Sequence, residues 1–130
     1  MKYIKSFDEK NLNLEDIFSK KVENIPNLKN FYLYSDENNL TINDAIDSLP
    51  IINIDLSILS PTKYFLCKEK VNKMSLNLNS NLPFIFKDDN IYYIIDGHHR
   101  ITKYILTNKK YITVRIFDND VFTSKIDNVI

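Results

Sequence analysis

The stretch Ile91-Tyr92-Tyr93-Ile94-Ile95-Asp96-Gly97-His98-His99-Arg100-Ile101-Thr102-Lys103-Tyr104-Ile105 decides the fold. Its first five residues are apolar throughout, the pattern of a strand covered on both faces. After Arg100, Ile101, Tyr104 and Ile105 recur at helical spacing up to Thr107. Between strand and helix stand the chain's only glycine, both of its histidines and one of its two arginines. Gly97 lets the backbone take unusual dihedrals and lets a ligand come close. The first amides of the following helix have no internal acceptor and suit phosphate. His98 and His99 add ring donors, and the Arg100 fork matches phosphate oxygens bidentately. Asp96, at the strand end, has three open roles: orienting an imidazole, capping the helix, or holding a metal bound to the phosphates.

The elements on either side follow from period and punctuation. Pro83 to Phe86 and Ile91 to Ile95 predict two strands joined by a tight turn at Lys87-Asp88-Asp89-Asn90. Asn108-Lys109-Lys110 closes the helix, with cations where the macrodipole favours them. Tyr111 to Phe117 is a final strand with Ile112, Val114 and Ile116 on one face. Upstream, Ile52, Ile54, Leu56 and Ile58 alternate with polar residues, a half-buried strand that ends at Ser60-Pro61-Thr62. A helix over Lys68 to Leu76 turns Val71 and Met74 inward, and residues 77–83 return the chain.

The first fifty residues read as helical pieces joined by polar turns. Asn13 caps a segment from Leu14 to Val22 that carries Leu14, Ile17, Phe18 and Val22 on one face. Phe31-Tyr32-Leu33-Tyr34 is too short to classify by period and is compatible with a strand. Thr41 caps a second helix through Ala45, Ile46 and Leu49, stopped at Pro50. The expected organisation is a mostly helical appendage over 1–50, a core over 51–118 and a tail over 119–130.

Composition bounds the partners. A chain of 130 residues supports one core. Lys plus Arg and Asp plus Glu are 17 each, which argues against strong nonspecific DNA binding. Residues 1–60 hold six basic and ten acidic side chains and residues 61–130 hold eleven and seven, so the C-terminal half can attract an anion. No apolar run approaches the ~20 residues of a membrane span. The N-terminus reaches Asp8 before any signal core, and the single Cys67 permits no internal disulfide, both of which suit a reducing cytoplasm. Adjacent histidines on one helix cannot face one metal, and with one cysteine the residues argue against zinc.

Ile94 to Ile101, placed after a hairpin and before a helix and strand, resembles the signature of the ParB/sulfiredoxin superfamily. Ile54 to Thr62 and the helix at Lys70-Val71 resemble that family's opening strand, loop and helix, so the similarity covers about residues 51–118. It implies an α+β fold with a small mixed sheet, and a nucleotide whose phosphates sit at the helix following the glycine. Sulfiredoxins have their reactive cysteine where His98 stands, so sulfinic acid reduction is not implied. Partition proteins carry an acidic and an extra basic residue in place of His98 and His99, with added DNA-binding and dimerisation domains. Asp96-Gly97-His98-His99-Arg100 is most similar to the branch of free-serine kinases. Those place a catalytic carboxylate in the loop after the first strand, where this chain reads Ser60-Pro61-Thr62-Lys63-Tyr64 and the next acid is Glu69.

The expected function is a phosphotransferase or NTP hydrolase using ATP, ADP or CTP with Mg²⁺. Gly97, His98, His99, Arg100, Thr62 and Lys63 would hold the phosphates. His98 or His99 would donate to the transferring group or shuttle a proton, in the neutral form favoured at a helix start. Asp96 would orient a histidine or help bind Mg²⁺. The alternatives are a non-catalytic DNA-associated or protein-binding module of a mobile element, with residues 1–50 as the partner surface, and a ParB-like nuclease.

Overall fold

The computed structural model describes residues 10–77 and 81–129, and its elements bear out the α+β expectation of a small mixed sheet with several helices. In chain order they are β1 (Asn11–Asn13), α1 (Leu14–Ile17), α2 (Lys29–Glu37), α3 (Ile42–Asp47), β2 (Ile51–Asp55), β3 (Leu59–Ser60), β4 (Phe65–Cys67), α4 (Lys68–Lys73), β5 (Phe84–Asp88), β6 (Ile91–Asp96), α5 (His98–Leu106), β7 (Tyr111–Asp118) and α6 (Asn119–Val129). The five-stranded sheet runs β2-β7-β5-β6-β3, and β1 pairs antiparallel with β4 beside it. Pairings β2–β7 and β5–β6 are antiparallel, whereas β5–β7 and β3–β6 are parallel.

Side-chain alternation divides the apolar residues between the two sheet faces. Ile54, Ile85, Ile94, Ile112, Val114 and Ile116 pack with Leu14, Phe18, Val71 and Ile101 from α1, α4, α5 and the turn after α1. Phe84, Phe86, Tyr93 and Phe117 pack on the opposite side with Phe31, Ala45 and Leu49. Phe31 anchors that second core, with ring centroids 4.8 Å from Phe84 and 5.5 Å from Phe117. Residues 10–50 therefore complete both cores rather than resting on a finished one. The middle strand is β5, and the apolar run in β6 lies one place toward the edge.

The hairpin turn is as expected: Asp89 and Asn90 both take positive φ, 51° and 62°, which matches the twist of the flanking strands. Asn108 (φ 61°) ends α5, with Lys109 N–H donating to the Tyr104 carbonyl at 3.0 Å. Asn13 and Thr41 cap as expected, accepting from the amides of Glu15 and Asp44.

Four expectations need correction. Phe31 to Tyr34 is helical: Phe31, Tyr34 and Ser35 share the inward face at spacings of three and four, while Tyr32 and Leu33 point outward. The helix beginning at Leu14 stops at Ile17, because the following chain bonds along the sheet edge, Ser19 Oγ to the Ser57 carbonyl and Glu23 N–H to the Pro61 carbonyl. The alternation beyond Asp55 is broken by a 3-10 turn over Leu56–Ile58. Residues 119–129 are helix rather than tail, docked through Asn119, whose Nδ2 donates to buried Asp88 while its Oδ1 accepts from Asn30. Part of the expected return over 77–83, residues 1–9 of the appendage and residue 130 lie outside the described residues. No helix among the described residues is long and apolar enough to cross a membrane.

Candidate functional site

Gly97 occupies the N-cap position of α5 with φ +99°, a left-handed conformation that L side chains avoid. Space imposes the same choice, because a Cβ there would lie 2.7 Å from Pro83 Cβ and 2.9 Å from Pro83 Cα. The first intrahelical bond runs from Ile101 N–H to the Gly97 carbonyl at 3.0 Å. The amides of His98, His99 and Arg100 thus have no helical acceptor. Asp96 does not cap the helix, since no side chain fills that role; its carboxylate is exposed at the end of β6.

A cleft of about 550 Å³ opens at this helix start, lined by Asp96, Gly97, His99 and Arg100 on one side and by Asn43, Ile46 and Asp47 of α3 on the other. Arg115 of β7 lines it as well, so the chain's only two arginines meet in one cavity from positions fifteen residues apart. Both guanidinium groups are fixed by backbone carbonyls. Arg100 Nη1 donates to Asn81 O at 2.8 Å, and Arg115 Nη1 donates to Asp47 O and Leu49 O at 2.8 and 3.0 Å. Arg100 Nε is buried with no hydrogen-bond partner among the described residues, a donor left without the compensation that buried polar groups normally find.

His98 departs from its expected role. It is 2% exposed, does not line the cleft, and its Nε2 accepts from the Thr62 amide at 3.0 Å. Thr62 Oγ1 in turn donates to the Ile94 carbonyl at 2.7 Å. This pair ties the loop after β3 to the start of α5, so His98 and Thr62 serve as an internal anchor rather than as ligand contacts. Burial, reinforced by the charges of Lys63 and His99, pushes the His98 pKa down to about 4 and keeps the ring an acceptor. Lys63 is exposed and lies outside the cleft; its charge is felt at both histidines. His99 keeps its place on the cleft wall. Burial first, then Lys63 and Lys70, hold its pKa below the usual histidine value, with Asp96 acting in the opposite direction.

Among the polar lining residues, Asn43, Asp47, Asn81 and Arg115 escaped the sequence reading. Only Arg115 carried a signal, as one of two arginines in a chain that otherwise uses lysine. A larger cavity of about 850 Å³ lies elsewhere, beside Phe117, Val121 and Phe122. Its floor is apolar and it holds neither arginine nor histidine, so the polar chemistry belongs to the smaller cleft. The cleft supplies amide and guanidinium donors around one end, one neutral imidazole and two carboxylates, an arrangement able to hold an anion and to move a proton beside it. No family model matches the chain and no curated protein matches it, so the likeness of Asp96–Arg100 to the ParB/sulfiredoxin signature rests on those residues and their setting alone.

Proposed function

We propose that this chain is a nucleotide-binding α+β protein of the ParB/sulfiredoxin type that acts as a phosphotransferase or NTP hydrolase in the cytoplasm. The observation that carries the reading is the meeting of both arginines with the unpaired amides of a helix start in one cleft. The phosphates of ATP, ADP or CTP would lie against the amides of His99 and Arg100, with Arg100 and Arg115 neutralising charge. His99, which faces the cleft and favours its neutral form, is the proton carrier, and His98 supports it only by holding the loop in place. The Asp96 carboxylate is exposed on the cleft and is the oxygen ligand that would hold Mg²⁺ arriving on the phosphates. Such an ion supplies neutralisation of charge between phosphate oxygens.

Isothermal titration of ATP, ADP and CTP with Mg²⁺ into wild type and Arg100→Ala tests the reading. Charge-assisted hydrogen bonds of ~1.5–3 kcal/mol translate into a loss of roughly tenfold or more in Arg100→Ala. Absence of binding at millimolar nucleotide, or equal binding by the variant, overturns it. A second reading, a binding module without turnover, is favoured by the loop at Ser60 to Tyr64, where Thr62 spends its amide and hydroxyl on His98 and Ile94 and no carboxylate stands. Nucleotide binding without phosphate release selects this second reading.

A further inference from the structure

The wall of the cleft facing α5 is α3, and its position is set by Arg115, which binds the carbonyls of Asp47 and Leu49 at the end of that helix. Asn43 and Asp47 stand four residues apart and so project from one helix face. Both side chains are exposed, both line the cleft, and neither makes a hydrogen bond or ion pair within the described residues. The two walls thus differ in chemistry. The α5 wall presents amide and guanidinium donors beside one carboxylate, Asp96, whereas the α3 wall carries no cation and presents a carboxylate and a carboxamide, with Ile46 as apolar surface between them.

A bare phosphate satisfies only the first wall, and Asp47 repels it from the second. The volume of about 550 Å³ falls in the range of a site for a whole small molecule, roughly 300–1,000 Å³. A ligand that completes both walls carries an anion at one end and N–H or O–H donors at the other. We infer that Asn43 and Asp47 are specificity-determining residues that read hydroxyl or amino donors on the organic part of the phosphorylated ligand, so that the N-terminal segment selects which ligand the phosphate end of the cleft retains. The inference rests on the phosphate reading above and adds to it a second recognition point. Sites built around hydrogen-bond partners discriminate strongly against ligands lacking them, because their own polar groups are then left unpaired.

The test compares ATP with inorganic tripolyphosphate, each with Mg²⁺, by titration calorimetry on wild type, Asn43→Ala and Asp47→Asn. Asp44→Asn, on the same helix and outside the cleft, controls for the change in charge. Wild type is expected to bind ATP at least tenfold more tightly than tripolyphosphate. Asn43→Ala and Asp47→Asn are each expected to weaken ATP about fivefold or more without weakening tripolyphosphate, which Asp47→Asn binds as well as or better than wild type; Asp44→Asn changes neither. Equal affinity for the two probes in wild type, or equal loss of both in the variants, overturns the inference and leaves the phosphate reading standing. If neither probe binds wild type, both fall together. Thermal melts of the three variants within a few degrees of wild type show that folding is not the cause.

Discussion

Replacing Gly97 by alanine isolates the turn on which the site depends. Two separate penalties apply. An L residue in the left-handed region costs ~1–2 kcal/mol, and Gly97 sits there at φ +99°. The added methyl would meet Pro83 Cα at 2.9 Å, a backbone atom that cannot rotate away; forcing a methyl into packed surroundings costs ~1–3 kcal/mol. Together they remove ~2–5 kcal/mol from a fold whose total stability is on the order of 5–15 kcal/mol. At roughly 4 °C per kcal/mol for a chain of this size, melting falls by ~8–20 °C. Urea unfolding followed by far-ultraviolet circular dichroism reads this as a lower midpoint with an unchanged slope. Gly97→Asn separates the two causes, because asparagine tolerates positive φ but still carries the Cβ. It is expected to recover part of the loss and no more. An alanine variant with a midpoint equal to wild type refutes the reasoning, and an asparagine variant equal to wild type refutes the clash with Pro83.

Three further outcomes follow from the same contacts. His98 folds as the neutral ring with its pKa near 4 against 6.5 when unfolded, so below pH 6.5 the unfolded chain takes up a proton that the folded one refuses. Stability from this residue is complete above pH 6.5 and falls as pH drops toward 4, by on the order of 3 kcal/mol at about 1.4 kcal/mol per decade; urea midpoints across that window should flatten in His98→Gln. Asn119→Ala removes one donor from the buried Asp88 carboxylate and one acceptor from Asn30, with an expected loss of ~2–3 kcal/mol and faster hydrogen exchange confined to α6; unchanged exchange there contradicts the docking role. Phe86→Ala empties a fully buried site stacked on Phe117 and is expected to cost ~3–5 kcal/mol in the same unfolding assay.

The parts of the fold that were legible in the sequence are those with strong local signals. The hairpin, β7 and α5 could be read because Asp89-Asn90, the alternation at Ile112, Val114 and Ile116, and the Ile101-Tyr104-Ile105 spacing each match one period. The run Phe31 to Tyr34 was ambiguous because four consecutive apolar residues fit either period, and only the sheet above Phe31 and Tyr34 selects helix. The helix at 119–129 was missed because its buried anchor is the polar Asn119, and among its described side chains Phe122 alone adds an apolar contact to the second core. Gly97, His99, Arg100 and Asp96 were legible in the site as neighbours in one turn. The inward turn of His98 depends on the Thr62 amide thirty-six residues away. Asn43 and Asp47 belong to the cleft only because Arg115 draws the end of α3 against β7.

The measurement closest to the central claim is an amide correlation spectrum recorded while ATP with Mg²⁺ is added. Binding at the helix start is expected to move the backbone amides of Gly97, His98, His99 and Arg100 first and furthest, together with the Nε–H signals of Arg100 and Arg115. Spectra that do not change at several millimolar ATP, or changes gathered around Phe117, Val121 and Phe122 instead, contradict the account.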